Sequence, residues 1–314
     1  MIVFIVLRVV PGDPIAMMLP PGAREADIAA LRHIYGLDRS IPVQFVHWLG
    51  GLVAGDFGTS ISMRQGVLAL VLSHLPATLE LALLAFLLAL VLGGVLGLAT
   101  VYWCGRWPEA LVDAVAGFAQ AVPDFLWGLV LILLLGVAAP LLPISGRIDP
   151  LVETPFATGF YLVESLVRLR LALLADLLAH LVLPATALAL PLAAIVPRLL
   201  KSSLAEAMTQ DYALMAAARG FSRLHVLIRE ALRNALIPTV TLSGVQFTFL
   251  LGGTVLIERI FGYPGIGNLA IGAVIDRDLP LIQGLILTFA ILFILTNLAV
   301  DFSYVLLNPR IRHG

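Results

Sequence analysis

LPATLELALLAFLLALVLGGVLGLATV, from Leu75 to Val101, is an apolar stretch whose one ionisable residue is Glu80. A membrane-spanning helix needs about 20 mostly apolar residues to cross about 30 Å of hydrocarbon. In lipid the helix is favoured because it satisfies its own backbone hydrogen bonds. Four more stretches meet the same criterion: Leu111–Ala139 (with AVPDFLWGLVLILLLGVAA), His180–Leu200 (HLVLPATALALPLAAIVPRLL), Ile237–Ile257 (IPTVTLSGVQFTFLLGGTVLI) and Pro280–Leu307 (with LILTFAILFILTNLAVDFSYVLL). Around them, the 314-residue chain is 60% apolar and 12% charged, with a mean hydropathy of +1.02. Soluble domains have about 45–50% apolar and about 25% charged residues. The composition predicts an all-α integral membrane protein. It excludes a soluble globular enzyme, a disordered chain and a free nucleic-acid binder. A formal net charge of −1 leaves no basic excess for a polyanion. One cysteine, Cys104, excludes an intramolecular disulfide and a cysteine-rich metal site.

Ile2–Val10 (IVFIVLRVV) is apolar apart from Arg8 but too short to span alone. No positive n-region or cleavage site marks it as a signal peptide. It reads as the outer half of a first helix that is otherwise cut short. Pro11–Pro21, with PGDP and PPG, reads as extended loop. Asp27–Tyr35 reads as a short helix stopped by Gly36, and Arg147–Asp176 as polar enough to leave the bilayer. Orientation follows the density of Lys and Arg in the loops. With Arg198–Leu236 placed in the cytoplasm, the two sides carry equal numbers of basic residues. The inner ones lie on about half the length, which puts Pro11–His74 outside and the C-terminus inside.

No phosphate-binding G-x-x-x-x-G-K-[ST], zinc-binding H-E-x-x-H or nucleophile G-x-S-x-G occurs, and the six histidines are scattered. Gly262–Gly267 (GYPGIG) follows a membrane helix and carries no lysine, so it reads as a turn at the membrane surface. Ionisable groups at membrane depth are functional candidates. Glu80 and Asp176 lie within about two turns of their segment ends, near enough to reach the interface. Asp113 begins its span, and Asp301 lies near the inner end. Asp124 differs, because Pro123-Asp124 interrupts a long span near its middle, where proline kinks a helix and frees carbonyls. Two readings stay open: a residue lining a translocation pathway, or a kink with a paired carboxylate. Pro123, Asp124 and Gln246 are the pathway candidates.

Arg198–Leu236 is the long polar interval with helical texture. Asp211 is positioned to cap a helix over Tyr212–Arg219, in which Ala216, Ala217 and Ala218 favour helix. Gly220 supplies the left-handed stop. Ser222 is positioned to cap a second helix to about Leu236, with Leu224, Ile228, Leu232 and Leu236 as an apolar stripe. A helix–glycine–helix protrusion suits insertion into a groove on a soluble partner. An ordinary positive-inside loop is the alternative.

DYALMAAARGFSRLHVLIREALRNALIP, Asp211 to Pro238, resembles the cytoplasmic loop of binding-protein-dependent ABC importer permeases. The similarity is to the dipeptide/oligopeptide/nickel branch, in its first permease subunit. VPGDP (Val10–Pro14), LPATLELAL (Leu75–Leu83), VPDFLWGLVLILL (Val122–Leu134), LPISG (Leu142–Gly146), LPATALALPLAAIVPRLLKSSL (Leu183–Leu204), ERIFGYPGIGNL (Glu258–Leu269) and NPRIR (Asn308–Arg312) extend the resemblance in order along the chain. It implies a type I ABC importer transmembrane domain of about six helices, the first apparently truncated. The implied segments are an outer segment over 1–74, a permease core over 75–307 and a tail over 308–314, in a bacterial inner membrane.

The resemblance also implies a coupling helix that seats in a cleft of a cytoplasmic ATPase and carries ATP-driven closure to the pore. Asp211, Tyr212, Ala216, Ala217, Gly220 and Arg223 are its candidate residues. The implied partners are a second homologous permease, two ABC ATPase subunits, an extracytoplasmic solute-binding protein and membrane lipid, with no nucleic acid. No cofactor or metal in this chain is implied. The broader family pattern reads EAA, three residues, Gly, nine residues, then I-x-L-P. Here Ala216, Gly220 and Leu232 match, and the acidic residue is displaced to Asp211. The implied cargo is a peptide, with a nickel chelate as the related alternative.

Two readings of other classes are separable by sequence features. A stand-alone secondary transporter calls for inverted repeats or several membrane carboxylates, and neither is visible. A membrane enzyme calls for a nucleophile–base or metal constellation, and none appears.

Overall fold

The computed structural model describes residues 38–152 and 156–307, with residues 4, 5, 24, 26 and 33. The readings of Ile2–Val10, Pro11–Pro21, Asp27–Tyr35 and Asn308–Arg312 therefore fall outside the described residues, isolated positions apart. Helices α1 (Ile41–Val53) and α2 (Val67–Tyr102) are followed by α3 (Trp107–Ala121) and α4 (Asp124–Ala138). A short α5 (Tyr161–Val167) precedes the long α6 (Leu171–Met208). Next come α7 (Asp211–Ala218), α8 (Arg223–Ile260), α9 (Ile266–Ile275) and α10 (Leu279–Leu307). Helices α2, α6, α8 and α10 are each long and apolar enough to cross a membrane, and α3 with α4 has that length and composition only as a pair broken by a sharp bend. Four of the five apolar stretches read from the sequence lie in single helices of spanning length, the fifth lies in the bent pair α3–α4, and none is a strand.

The core forms where α2 runs parallel to α6. Along α2, Ala77, Leu81, Ala85, Ala89, Gly93 and Gly97 recur every fourth residue and are buried. Small residues let backbones approach closely where no hydrophobic force draws helices together in lipid. A Cβ at Gly93 would lie 2.5 Å from Val196 Cβ, and one at Gly97 would lie 3.1 Å from Leu200 Cβ. Large apolar side chains point the other way: Leu83, Leu87, Val91 and Val95 of α2 and Phe293, Ile294, Leu298 and Phe302 of α10 are exposed. Such continuous apolar surface belongs against lipid or another chain.

Leu111–Ala139 is not a straight span. It bends by 100° between α3 and α4. Val122 is extended (φ −91°, ψ 124°), as a residue before proline is driven to be, and Pro123 is the residue just before the next helix. Trp127 Nε1 donates back across the joint to Ala119 O at 3.1 Å.

Two glutamates tie the end of the bundle opposite α7. Glu80 does not reach solvent at the interface. Burial of its segment leaves it 5% exposed, and Arg147 Nη2 donates to its Oε2 at 2.6 Å while Leu162 N donates to Oε1 at 2.8 Å. Glu258, fully buried at the end of α8, accepts from Thr78 Oγ1 (2.6 Å), Gly267 N (2.7 Å) and Asn268 N (3.0 Å). It thereby satisfies amides at the start of α9. Gly265 and Gly267 make room for it: a Cβ at Gly267 would lie 2.9 Å from Glu258 Oε2. GYPGIG is thus a tight turn between helices. Asp278 plays the same part for α10, accepting from Leu281 N (3.1 Å) and from Ser60 Oγ (2.6 Å). Glu164 accepts from Ala157 N and Thr158 N, both at 2.8 Å, and these amides, Ala157 foremost, hold its carboxyl down to about 2. Asp176 accepts from Asp149 N at 3.0 Å. The described residues of the Arg147–Asp176 stretch thus carry a helix of their own, α5, and α6 begins inside the stretch.

Candidate functional site

Helix α7 starts at Asp211, with Gln210 as the residue before it. Asp211 is the first helical residue and makes no side-chain cap, a correction to its expected capping role. Its carboxylate still favours the positive end of the helix. The stop is as expected. Gly220 has φ +86°, its N–H donates to Ala217 O (3.0 Å), and Phe221 N donates to Ala216 O (3.3 Å). These two bonds make a Schellman motif. Ser222 caps the second helix, accepting from His225 N at 3.3 Å. That helix does not stop at Leu236; it continues as α8 to Ile260.

The faces differ from the expected stripe. Leu224, Ile228 and Leu236 are exposed, while Leu227, Ala231 and Ala235 pack on Leu200, Leu204 and Ala207 of α6. The reason is phase: the buried row lies next to the leucine row, and small residues again take the contact. On α7, Ala213 and Ala216 are buried against Val226. Ala216 therefore seats the helix on its own chain and presents nothing outward. Tyr212, Leu214, Met215 and Ala217 form the outward face, and Asp211 is exposed beside them. Three large apolar groups on so short a helix are left exposed by the described residues. Leu214 and Met215 carried no signal by themselves, because an alanine-rich helix hides which side is free. Arg223 Nη2 donates to Val101 O at 3.2 Å, a carbonyl in the last turn of α2. This joins the loop to the bundle and places a cation at a helix C-terminus.

At the bend the structure brings Pro123, Asp124 and Gln246 onto the wall of one cavity of about 220 Å³. Gln120 from α3, Leu188 and Leu192 from α6 and Phe249 from α8 are among the other lining residues, most of them apolar. Gln120 and Leu188 were not legible as lining residues, because the 100° bend is what turns them toward Gln246. Asp124 is half-buried. Its Oδ1 accepts from Phe125 N at 2.7 Å, and no Lys, Arg or His among the described residues lies within 4.0 Å of it. The paired-carboxylate reading of the kink does not describe Asp124. Below the bend, Lys201 of α6 holds α3 through Glu109 (2.7 Å) and Asp113 (3.0 Å), and Arg198 Nη1 donates to Gln120 Oε1 at 2.8 Å. Among the described residues no cluster of three His, Cys, Asp or Glu is placed to hold a metal.

A bundle of long apolar helices, with a bent helix pair beside a largely apolar cavity and a short helix at one end whose large apolar side chains are exposed, is a multi-pass membrane protein. The family model described as binding-protein-dependent transport system inner membrane component matches residues 89–313, and the model of its N-terminal part matches residues 1–82. The chain belongs to this family and is a pore-forming permease of an ABC importer, working with other ABC subunits. It is 39% identical to the di/tripeptide transport system permease protein DppB of Pseudomonas aeruginosa, over 100% of this chain and 94% of that protein. It is 37% identical to the dipeptide transport system permease protein DppB of Escherichia coli K12, over 100% and 94%. Against the glutathione transport system permease protein GsiC of Salmonella typhimurium it is 34% identical, over 99% and 93%. In fold it is similar to a chain of the MetNI methionine ABC transporter solved in inward-facing conformations. The TM-score is 0.58 and the identity 15%, covering 77% of this chain and 97% of that one. The fold is the type I importer transmembrane domain.

Proposed function

We propose that the chain lines half of the pore of a small-peptide importer and takes its drive from ATPase subunits that dock on α7. The observation that carries this reading is the outward face of Tyr212, Leu214 and Met215, seated on Ala213 and Ala216 and locked by Gly220. A short helix that presents exposed apolar side chains is a form that fits a groove on a partner. Closure of that partner would push α7, and α8 would carry the push, because α7 packs on the first turns of α8 and Arg223 clamps them to α2. Helix α8 also bears Gln246, so the push arrives at the cavity.

The remaining assignments follow from this reading. ATP is hydrolysed in two separate chains, a second related permease supplies the other half of the pore, and an extracytoplasmic binding protein delivers cargo. The end bearing α7 is cytoplasmic, the C-terminus lies on that side, and the membrane is the bacterial inner membrane. Peptide cargo is supported by the relatives named for dipeptides, di/tripeptides and glutathione. The test is co-purification of the tagged chain from membranes with its neighbouring gene products. Recovery of a second permease and ATPase subunits, with hydrolysis stimulated by the loaded binding protein, is expected. A chain recovered alone, with no ATPase under conditions that preserve such complexes, contradicts the reading.

A further inference from the structure

We propose that Asp124 binds the protonated α-amine of a peptide as it passes the bend. The inference rests on the pore reading above and deepens it to a named contact. The chain provides partners for its other buried or bundle-end carboxylates. Glu80 has Arg147, Glu109 and Asp113 share Lys201, Glu164 has Arg168, and Glu258 and Asp278 each accept hydroxyl and amide donors. Asp124 alone combines a place at the break of a span with an oxygen, Oδ2, that has no donor among the described residues.

An ionised group at that depth is costly unless it faces a cavity and meets a counter-charge there. The fold supplies the cavity and leaves the counter-charge to come from outside the chain. Oδ2 lies close against the facing helix, where glycine leaves room for it: a Cβ at Gly253 would lie 2.5 Å from it. The same wall carries the amide of Gln246, placed to meet a peptide carbonyl, and the apolar side chains of Leu188, Leu192 and Phe249 for side-chain contact. A carboxylate, an amide and apolar wall together match the amino end of a peptide. The cavity's 220 Å³ falls below the roughly 300 Å³ of an ordinary ligand pocket, as fits one chain's share of a site between two permeases.

The test uses the complete transporter, with its partner subunits, in proteoliposomes. The probes are Ala-Ala and N-acetyl-Ala-Ala. Uptake of Ala-Ala is followed, and binding of both probes to the permease–ATPase complex is measured without the binding protein. Asp124→Asn is expected to lower Ala-Ala uptake at least tenfold and to remove the complex's preference for the free amine, leaving N-acetyl-Ala-Ala binding as it was. Asp124→Glu should recover part of the uptake. Gly253→Ala, which displaces Oδ2 but keeps the charge, should reproduce the loss and decides the matter if Asp124→Asn fails to accumulate. Wild-type uptake by Asp124→Asn, or an unchanged preference for the free amine, overturns the amine contact and leaves the importer reading standing. A wild-type transporter that moves no Ala-Ala overturns the peptide reading and the amine contact with it.

Discussion

Arg147→Ala is expected to destabilise the protein by about 3–5 kcal/mol, the usual effect of removing one partner from a buried ion pair. Arg147 and Glu80 side chains are 6% and 4% exposed, so water cannot replace the lost guanidinium. The same guanidinium donates to Gly159 O at 2.7 Å and lies 3.9 Å from the centre of the Tyr161 ring. The substitution therefore frees Gly159 and Tyr161 from Arg147 as well as stranding a carboxylate. Thermal unfolding in detergent should show a fall in Tm on the order of 10 °C. Adding Glu80→Gln should recover most of it, because the stranded charge is gone and the amide oxygen still accepts from Leu162 N. A Tm within about 2 °C of wild type for Arg147→Ala, a shift of under about 1 kcal/mol, would mean the pair is solvated.

Gly220→Pro is expected to reduce transport at least 100-fold while the chain still inserts and accumulates. Proline fixes φ near −65°, whereas Gly220 sits at +86° and uses its N–H to close the end of α7. No Cβ clash is involved, since nothing lies within 4 Å of a Cβ built there; the effect is conformational. Gly220→Ala should therefore be mild, at about 1–2 kcal/mol of local strain, with part of the transport retained. The spans do not pass through residue 220, so membrane insertion is untouched. Measuring uptake beside membrane abundance separates the two effects. Normal uptake by Gly220→Pro would remove α7 from the drive mechanism.

The spans were legible because lipid leaves the backbone few choices, and about 20 apolar residues in a row have no other use. Gly220 and Ser222 were legible because each answers a local need that only a few residue types meet. What sequence reading placed wrongly were faces and pairs. Leu224, Ile228 and Leu236 look like the buried row, yet they are exposed, and the adjacent row of Leu227, Ala231 and Ala235 makes the contact with α6. The every-fourth-residue row from Ala77 to Gly97 held that information about α2, but only α6 shows what it packs against. Glu80 was misplaced because Arg147 lies 67 residues away in sequence, and no local rule joins them. The cavity needed the angle of the bend. Pro123 announces a kink, not one of 100°.

The central claim is that the outward face of α7 meets an ATPase. It is tested by thiol cross-linking in a Cys104→Ser background, with single cysteines at Met215, on that face, or at Ala213, turned inward. In membranes that also hold the partner subunits, Met215→Cys should give a covalent adduct with the ATPase, its yield changing on addition of ATP, and Ala213→Cys should give none. Equal adducts from both positions, or none from Met215→Cys in a complex that still hydrolyses ATP, would contradict the account.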